Sequence, residues 1–392
     1  MNKKGFTLIE LLAVIVILAI IAVIAIPKIL NVVDESKKGA EEASALGYID
    51  AVEKQVMLSD IDSTKYILIP DGTIAVKDLK NTYHVTVKGK YPRKGTVTIQ
   101  NRKVVGYDII TDNYEFKLVN GTKSSNKRVK LKTVSFATDS WDLIKQAIIA
   151  DETDNYHVGD EKTITVAAHT NTCARFSTFV SEWGCNSASI EEKQVKVRIA
   201  NMSQCENNEV SQSTCGFVVE FADVVDIHAF NYQTKDMNGG STSGGYPNSR
   251  LRTYINGTIW NSLPLDMRNV MIDTTVVSGH NYEESSNFTS TDKLYLLTAE
   301  EVYSDFNATA YDTSTGNSRQ LDYYRNNNTT TSSAAAAIKK HNGTATSWMT
   351  RSSSAANSYW SHKDVTVISN TGGYSTSDAG QISGIAPAFR IG

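Results

Sequence analysis

The chain has 392 residues, 41% of them apolar, and a formal net charge of −3. Its length exceeds one ordinary domain, so more than one folded unit is expected, and its composition excludes a disordered stalk. The small net charge excludes a uniformly basic or acidic protein but hides an asymmetry: residues 77–132 carry 14 Lys/Arg against 4 Asp/Glu, and the remainder is acidic.

The N-terminus opens with Lys3-Lys4-Gly5, followed by Phe6-Thr7-Leu8-Ile9-Glu10 and an apolar run to Ile26. Such a run is long enough for a helix to cross a bilayer, which takes about 20 apolar residues. A charge inside it costs a few kcal/mol and calls for a partner. No basic side chain lies between Lys4 and Lys28. Cutting between Gly5 and Phe6 supplies one, because the new α-amino group is mostly protonated at neutral pH and can pair with Glu10 of a neighbouring copy. A secretory signal has a shorter apolar region and a small-residue cleavage site. A plain anchor fits the length and the two lysines but leaves Glu10 without a purpose.

Lys4-Gly5-Phe6-Thr7-Leu8-Ile9-Glu10 with this run resembles the class III signal of type IV pilins and pseudopilins. The resemblance implies insertion in the cytoplasmic membrane and removal of leader 1–5 by a prepilin peptidase after Gly5. It also implies methylation of Phe6, and assembly with other pilin subunits through Glu10 into a surface filament. Residues 6–58 are expected to form the long helix, with 6–26 as membrane span and filament core and a bend at Pro27. Ile29, Val33, Ala40, Ala43, Leu46, Ile49, Val52 and Val56 give its second half an apolar stripe.

Residues 59–120 read as a small antiparallel meander on that helix. Period-two sets recur at Tyr83/Val85/Val87, Val97/Ile99, Val105/Tyr107/Ile109 and Tyr114/Phe116/Leu118. Lys88, Lys90, Arg93 and Lys94 fall on one expected turn, and Arg102 and Lys103 on another. They form a candidate polyanion-binding surface, for DNA or teichoic acid, with intersubunit contact or solvation as the plainer alternatives. Residues 121–138 read as a basic linker.

The stretch 139–392 reads as a loop-rich α+β domain, with a helix at Asp139–Ala150, strands at Lys193–Ile199 and Phe217–Phe221, and helices at Leu251–Leu263 and Thr298–Phe306. Cys173, Cys185, Cys205 and Cys215 favour disulfides outside the membrane, with local pairs 173–185 and 205–215 preferred and zinc the alternative. Asp151, Glu152, Asp154, Asp160 and Glu161 offer hard oxygens, but they miss the EF-hand spacing. Arg250, Arg252 and Arg351 are expected to pin core carboxylates, with the lining of a pocket as the alternative. The seven histidines show no ligand spacing, and no nucleophile elbow or phosphate loop occurs, so no enzyme and no cofactor are expected.

Trp141-Asp142-Leu143-Ile144, Tyr156-His157-Val158-Gly159-Asp160, Ser249–Asn256, Lys293–Thr298, Trp348–Ser352 and Gly384–Phe389 together resemble a functionally uncharacterised bacterial surface domain. That domain is distantly similar to the formylglycine-generating-enzyme and C-type-lectin folds. Met349 stands where the family often has a second Trp, and Ala386 where it has an Arg. The oxidases of that fold hold copper through late cysteines, and none follows Cys215 here. The resemblance implies a displayed binding module for a glycan, protein or teichoic acid. A head of this size suits a minor rather than a major filament subunit. A competence pseudopilin taking up DNA through 77–132, or a membrane-tethered enzyme, are the alternatives.

Overall fold

The computed structural model describes residues 8–62, 64–177, 184–205, 209–231, 242, 244–280, 284–306, 319–353 and 364–392. The chain divides into two compact units, Met1–Lys130 and Leu131–Gly392.

In the first unit, helix α1 (Leu8–Ile61) is continuous through position 27, whose side chain lies outside the described residues. Its second half packs under a sheet. Ala45, Tyr48, Ile49, Val52 and Val56 recur at three- and four-residue steps, and all are buried against Val97, Ile99, Tyr107, Ile109 and Phe116. The sheet is antiparallel, in the order β1 (Gly72–Ala75), β2 (Lys94–Gln100), β3 (Lys103–Ile110), β4 (Tyr114–Val119), β5 (Thr122–Lys127). Helix α2 (Val76–Asn81) follows β1 and buries Val76 and Leu79.

Two expectations are corrected. Tyr83, Val85 and Val87 do not form a strand: His84 takes a left-handed φ of 52°, and the Val85 amide bonds back to the Leu79 carbonyl. Their alternation reflects packing onto the core from a turn. Nor does a linker begin at 121. Asn120 and Gly121, with φ of 49° and 79°, make a tight turn into β5. Asn-Gly between two runs is the strongest short hairpin signal, and two consecutive positive-φ residues suit it. The unit boundary falls after Lys130, within the segment read as linker.

The second unit is built on two five-stranded sheets, ordered β12-β21-β10-β9-β6 and β11-β20-β17-β18-β19. The first contains β6 (Glu161–Val166), β9 (Lys193–Asn201), β10 (Phe217–Phe221), β12 (Met271–Ile272) and β21 (Ala388–Ile391). The second contains β11 (Asp226–Ala229), β17 (Trp348–Ser353), β18 (Asp364–Ile368), β19 (Tyr374–Asp378) and β20 (Ile382–Ile385). Two neighbouring segments pass between the sheets: β10 leads through Ala222–Val225 to β11, and β20 leads through Ala386-Pro387 to β21. They run antiparallel, with Glu220 opposite Ala388 and Asp226 opposite Ile385. Three hairpins complete the strands: β7 (His169–Ser177) with β8 (Gly184–Ile190), β13 (Thr274–Ser278) with β14 (Phe288–Asp292), and β15 (Lys339–His341) with β16 (Thr344–Thr346).

Helix α3 (Trp141–Ala150) begins where Ser140 accepts the Leu143 amide and ends at left-handed Asp151. The expected helix over 251–263 is present as Arg250–Tyr254, a π-helical turn Ile255–Ile259, and Trp260–Ser262. The helix expected at Thr298–Phe306 is absent. Thr298 and Glu301 do exchange the reciprocal bonds of a capping box, but a buried arginine also claims the Glu301 carboxylate and the chain continues as turns.

Candidate functional site

Gly5 and Phe6, the expected processing residues, lie outside the described residues. Glu10 is on α1, but its side chain also lies outside them. What is described around it is an apolar surface with no cover. Leu8, Ile9, Leu11, Leu12, Val14 to Leu18, Ile21 and Ile26 are 47% to 85% exposed, and Ile29, Val32 and Val33 extend the belt. These positions occupy every side of the helix, and a helix apolar all round is found buried in a membrane or among other chains. The side chains at 10, 20, 22–24, 27 and 30 are not described, and among the described residues no helix is long and apolar enough to cross a membrane.

The basic surface is largely neutralised from within. Asp112 takes Lys90 on one oxygen and the Arg93 Nε on the other at 2.7 Å. Arg102 bonds Asp60 at 2.5 Å and also donates to the Val56 and Ile69 carbonyls, tying the end of α1 to the sheet. Hydrogen bonding to Asp60 holds its guanidinium above the usual range. Lys117 bridges Asp108 and Glu115, and Lys127 meets Asp34 at 2.6 Å. Lys88 and Lys103 are exposed and Lys94 half-buried, so the six expected residues do not converge on one free patch. A shallow cavity between α1 and β5 is lined by Lys38, Glu42, Tyr107, Phe116, Lys123 and Ser125.

In the second unit the four cysteines form Cys173–Cys185 and Cys205–Cys215. Among the described residues one group has metal-ligand spacing, Cys205, Glu209 and Cys215, and its two sulfurs are joined to each other. In the acidic loop, Glu152 accepts the Leu131 amide and Asp160 the His157 amide. Those two carboxylates are thus engaged by backbone.

Three buried polar clusters hold this unit. Arg351 is wholly buried and grips Glu301 through two nitrogens, while its remaining donors reach the Val277 and Leu296 carbonyls and Ser213. Bidentate charge-assisted pairing of this kind is the strong form of the ion pair. Outside these three, the partly exposed Arg252 meets Asp292 through Nε alone at 2.7 Å. At the crossing between the sheets, Glu220 accepts Arg198 at 2.8 Å, Lys339 at 2.7 Å and the Tyr324 hydroxyl at 2.8 Å. Burial alone would raise its pKa, but the two cations hold it below the carboxylate range.

The third cluster begins at the other end of that crossing. Asp226 is fully buried and accepts His169 Nε2 at 3.0 Å, Asn171 at 3.0 Å, the Tyr254 hydroxyl at 2.6 Å and the Ile227 amide at 2.8 Å. Burial pushes its pKa up, yet these donors keep it low. His228 stacks on Tyr254 with ring centroids 4.4 Å apart. Its Nδ1 faces the Ala229 carbonyl at 2.6 Å and its Nε2 the Thr172 hydroxyl at 3.2 Å. Burial lowers the His228 pKa, so the ring is neutral. A hydroxyl on an oriented neutral imidazole has the form of a nucleophile and base, but the His228 ring is fully buried against Tyr254. Asp226 and His169 lie 57 residues apart and match no motif, so the sequence alone does not join them. The single legible signal was Asp226 and His228 set among the apolar residues of Val224–Phe230.

Two family models match parts of this chain. Residues 1–26 match the prokaryotic N-terminal methylation motif, and residues 222–392 match a domain of unknown function (DUF6273). No curated protein and no solved structure matches. The chain therefore carries a type IV pilin-like processing signal, and prepilin peptidase processing and assembly with other pilins at a membrane are what that signal implies. The C-terminal match begins just after β10, so it includes Asp226, Glu301 and Arg351 but not His169 or Glu220. Similarity to the formylglycine-generating-enzyme and C-type-lectin folds gains no support from these matches.

Proposed function

We propose that this chain is the precursor of a structural subunit of a type IV pilus-like filament, inserted in the cytoplasmic membrane by residues 6–26. It is cleaved after Gly5, methylated at Phe6, and displays its C-terminal unit at the cell surface as a binding module rather than an enzyme. The observation that carries this is the uncovered apolar belt of Leu8–Val33 directly behind the processing signal. Leaving a dozen large apolar side chains in water is untenable at about 1.5–3 kcal/mol each. Lipid covers them in the precursor, and the helices of other copies cover them in a filament. Glu10 then has its use in pairing with a neighbour's new amino terminus. The size of the C-terminal unit favours a minor subunit at the tip or spaced along the filament.

Mass spectrometry of the N-terminal peptide from surface-sheared material tests this. A peptide beginning at methylated Phe6 is expected; an intact Met1 found solely in membranes makes the protein a tethered surface protein instead. Glu10→Ala is expected to leave insertion intact and to reduce filament incorporation, read by immunoblot of sheared fractions against membranes.

A further inference from the structure

The β7–β8 hairpin forms its own two-stranded sheet, outside both five-stranded sheets. Of its described side chains, few apolar ones are buried, among them Cys173 and Ala174. Its fastening is polar: His169 and Asn171 reach Asp226, Asn171 also reaches the Ile227 carbonyl at 2.5 Å, and Thr172 reaches His228. The two histidines are in opposite states by geometry. His169 has an acceptor on each ring nitrogen, Asp226 at 3.0 Å and the Ala167 carbonyl at 3.0 Å, so both bonds form only when the ring is an imidazolium. His228 has one acceptor and one hydroxyl, which a neutral ring satisfies.

We propose that this hairpin is a pH-responsive strap, held to β11 by protonated His169 and released when His169 loses its proton. On deprotonation one ring nitrogen loses its hydrogen, and buried Asp226 loses its cationic partner. The other groups facing Asp226 do not replace it. Tyr254 and Asn171 are neutral, and His228 is neutral. Lys193 on β9 and His341 on β15 feel the Asp226 charge from a distance but make no hydrogen bond or ion pair with it. Pairing with Asp226 raises the His169 pKa above its ordinary value. A raised histidine stabilises the docked hairpin fully below its undocked pKa, near 6.5, and that stabilisation disappears as pH rises through the docked value. Asp226, shifted down, fails only when pH falls below the usual carboxylate range. The strap is therefore tightest in mildly acid surroundings and loosens toward alkaline pH.

Hydrogen exchange on the full-length chain in detergent between pH 6 and 9, corrected for intrinsic rates, tests this. Protection of amides in 169–177 and 184–190 is expected to fall about tenfold for each unit by which the His169 pKa is raised. Amides of β9 and β10 are expected to hold. His169→Gln is expected to flatten the hairpin profile. A flat wild-type profile, or a slope that survives in His169→Gln, overturns the proposal. Should that variant fail to fold, nitrogen NMR of labelled histidine in the wild-type chain decides. Two protonated ring nitrogens on His169 at pH 6.5 support the strap, and a neutral ring overturns it.

Discussion

The two units handle charge in opposite ways. In Met1–Lys130 the ion pairs lie at the surface, as Lys90–Asp112 and Lys127–Asp34 do, and the core is apolar helix against apolar sheet. In Leu131–Gly392, Arg351–Glu301 and Lys339–Glu220 have no exposed side-chain surface at all. The first arrangement is tolerant, because exposed pairs are worth about 0–1 kcal/mol and can be lost singly. The second is brittle, because removing one partner strands a charge in low dielectric. A small unit with one sheet covers its core with a single helix. A larger unit with long loops crossing two sheets has carbonyls to satisfy in its interior, and Arg351 spends its donors on Val277 and Leu296 for that reason.

The largest effect that distinguishes the units is expected from Arg351→Met. Leaving Glu301 buried without its partner costs about 3–5 kcal/mol. It should abolish protection of β17 and β18 in hydrogen exchange while leaving β2–β4 unchanged. Replacing both partners, Arg351→Met with Glu301→Leu, is expected to lose less than the single change, which a urea titration of all variants reads directly. Equal losses would mean that the arginine's bonds to backbone, not the ion pair, hold this region.

The counterpart in the first unit is a cavity rather than a charge. Ile109 is fully buried between the sheet and α1, and Ile109→Ala is expected to cost about 3 kcal/mol from lost burial and the void left behind. The loss should appear in β2–β4 exchange and not in the second unit. At the Asn120-Gly121 turn the effect is smaller. No atom lies within 4 Å of where a Gly121 side chain would stand, so Gly121→Ala brings only the strain of a left-handed φ. That is about 1 kcal/mol, confined to the β4–β5 hairpin.

What was legible in the sequence follows the same division. The strands β2, β3 and β4 were readable because period two reports a one-sided core. The stripe of α1 held at Leu46, Ile49, Val52 and Val56, whereas Ile29, Val33, Ala40 and Ala43 are exposed and Ala45 and Tyr48 take buried places the expected stripe did not include. β10 was readable too, as a short run apolar but for Glu220. The pairing of Cys173 with Cys185 and Cys205 with Cys215 followed from short loops. The 83–87 segment misled because alternation records burial, and a turn pinned by His84 buries alternate residues as well as a strand does. The helix expected at 298–306 misled because its start signal was real while its acidic cap belonged to Arg351, 50 residues away. The Asp226 cluster was illegible for that same reason. His169, Asp226 and Tyr254 meet through the topology of the crossing strands, and no local pattern encodes the meeting.

The smallest effect completes the contrast. Asp112 is partly exposed and shared by Lys90 and Arg93. Burial works to raise its pKa, but the two cations outweigh it and the carboxyl titrates below its ordinary value. A carboxylate shifted down gives its stabilisation fully above its unfolded pKa, about 3.9, and loses it as pH falls through the folded value. Asp112→Asn is therefore expected to cost under about 1 kcal/mol at pH 7 in a urea titration, and less and less as acid protonates the carboxyl. The first unit thus loses its electrostatic support only in acid, whereas the β7–β8 hairpin loses its own on the alkaline side. An Asp112→Asn loss that persisted unchanged at pH 2 would show that shape rather than charge matters at this turn, and that part of the contrast between the units would fall.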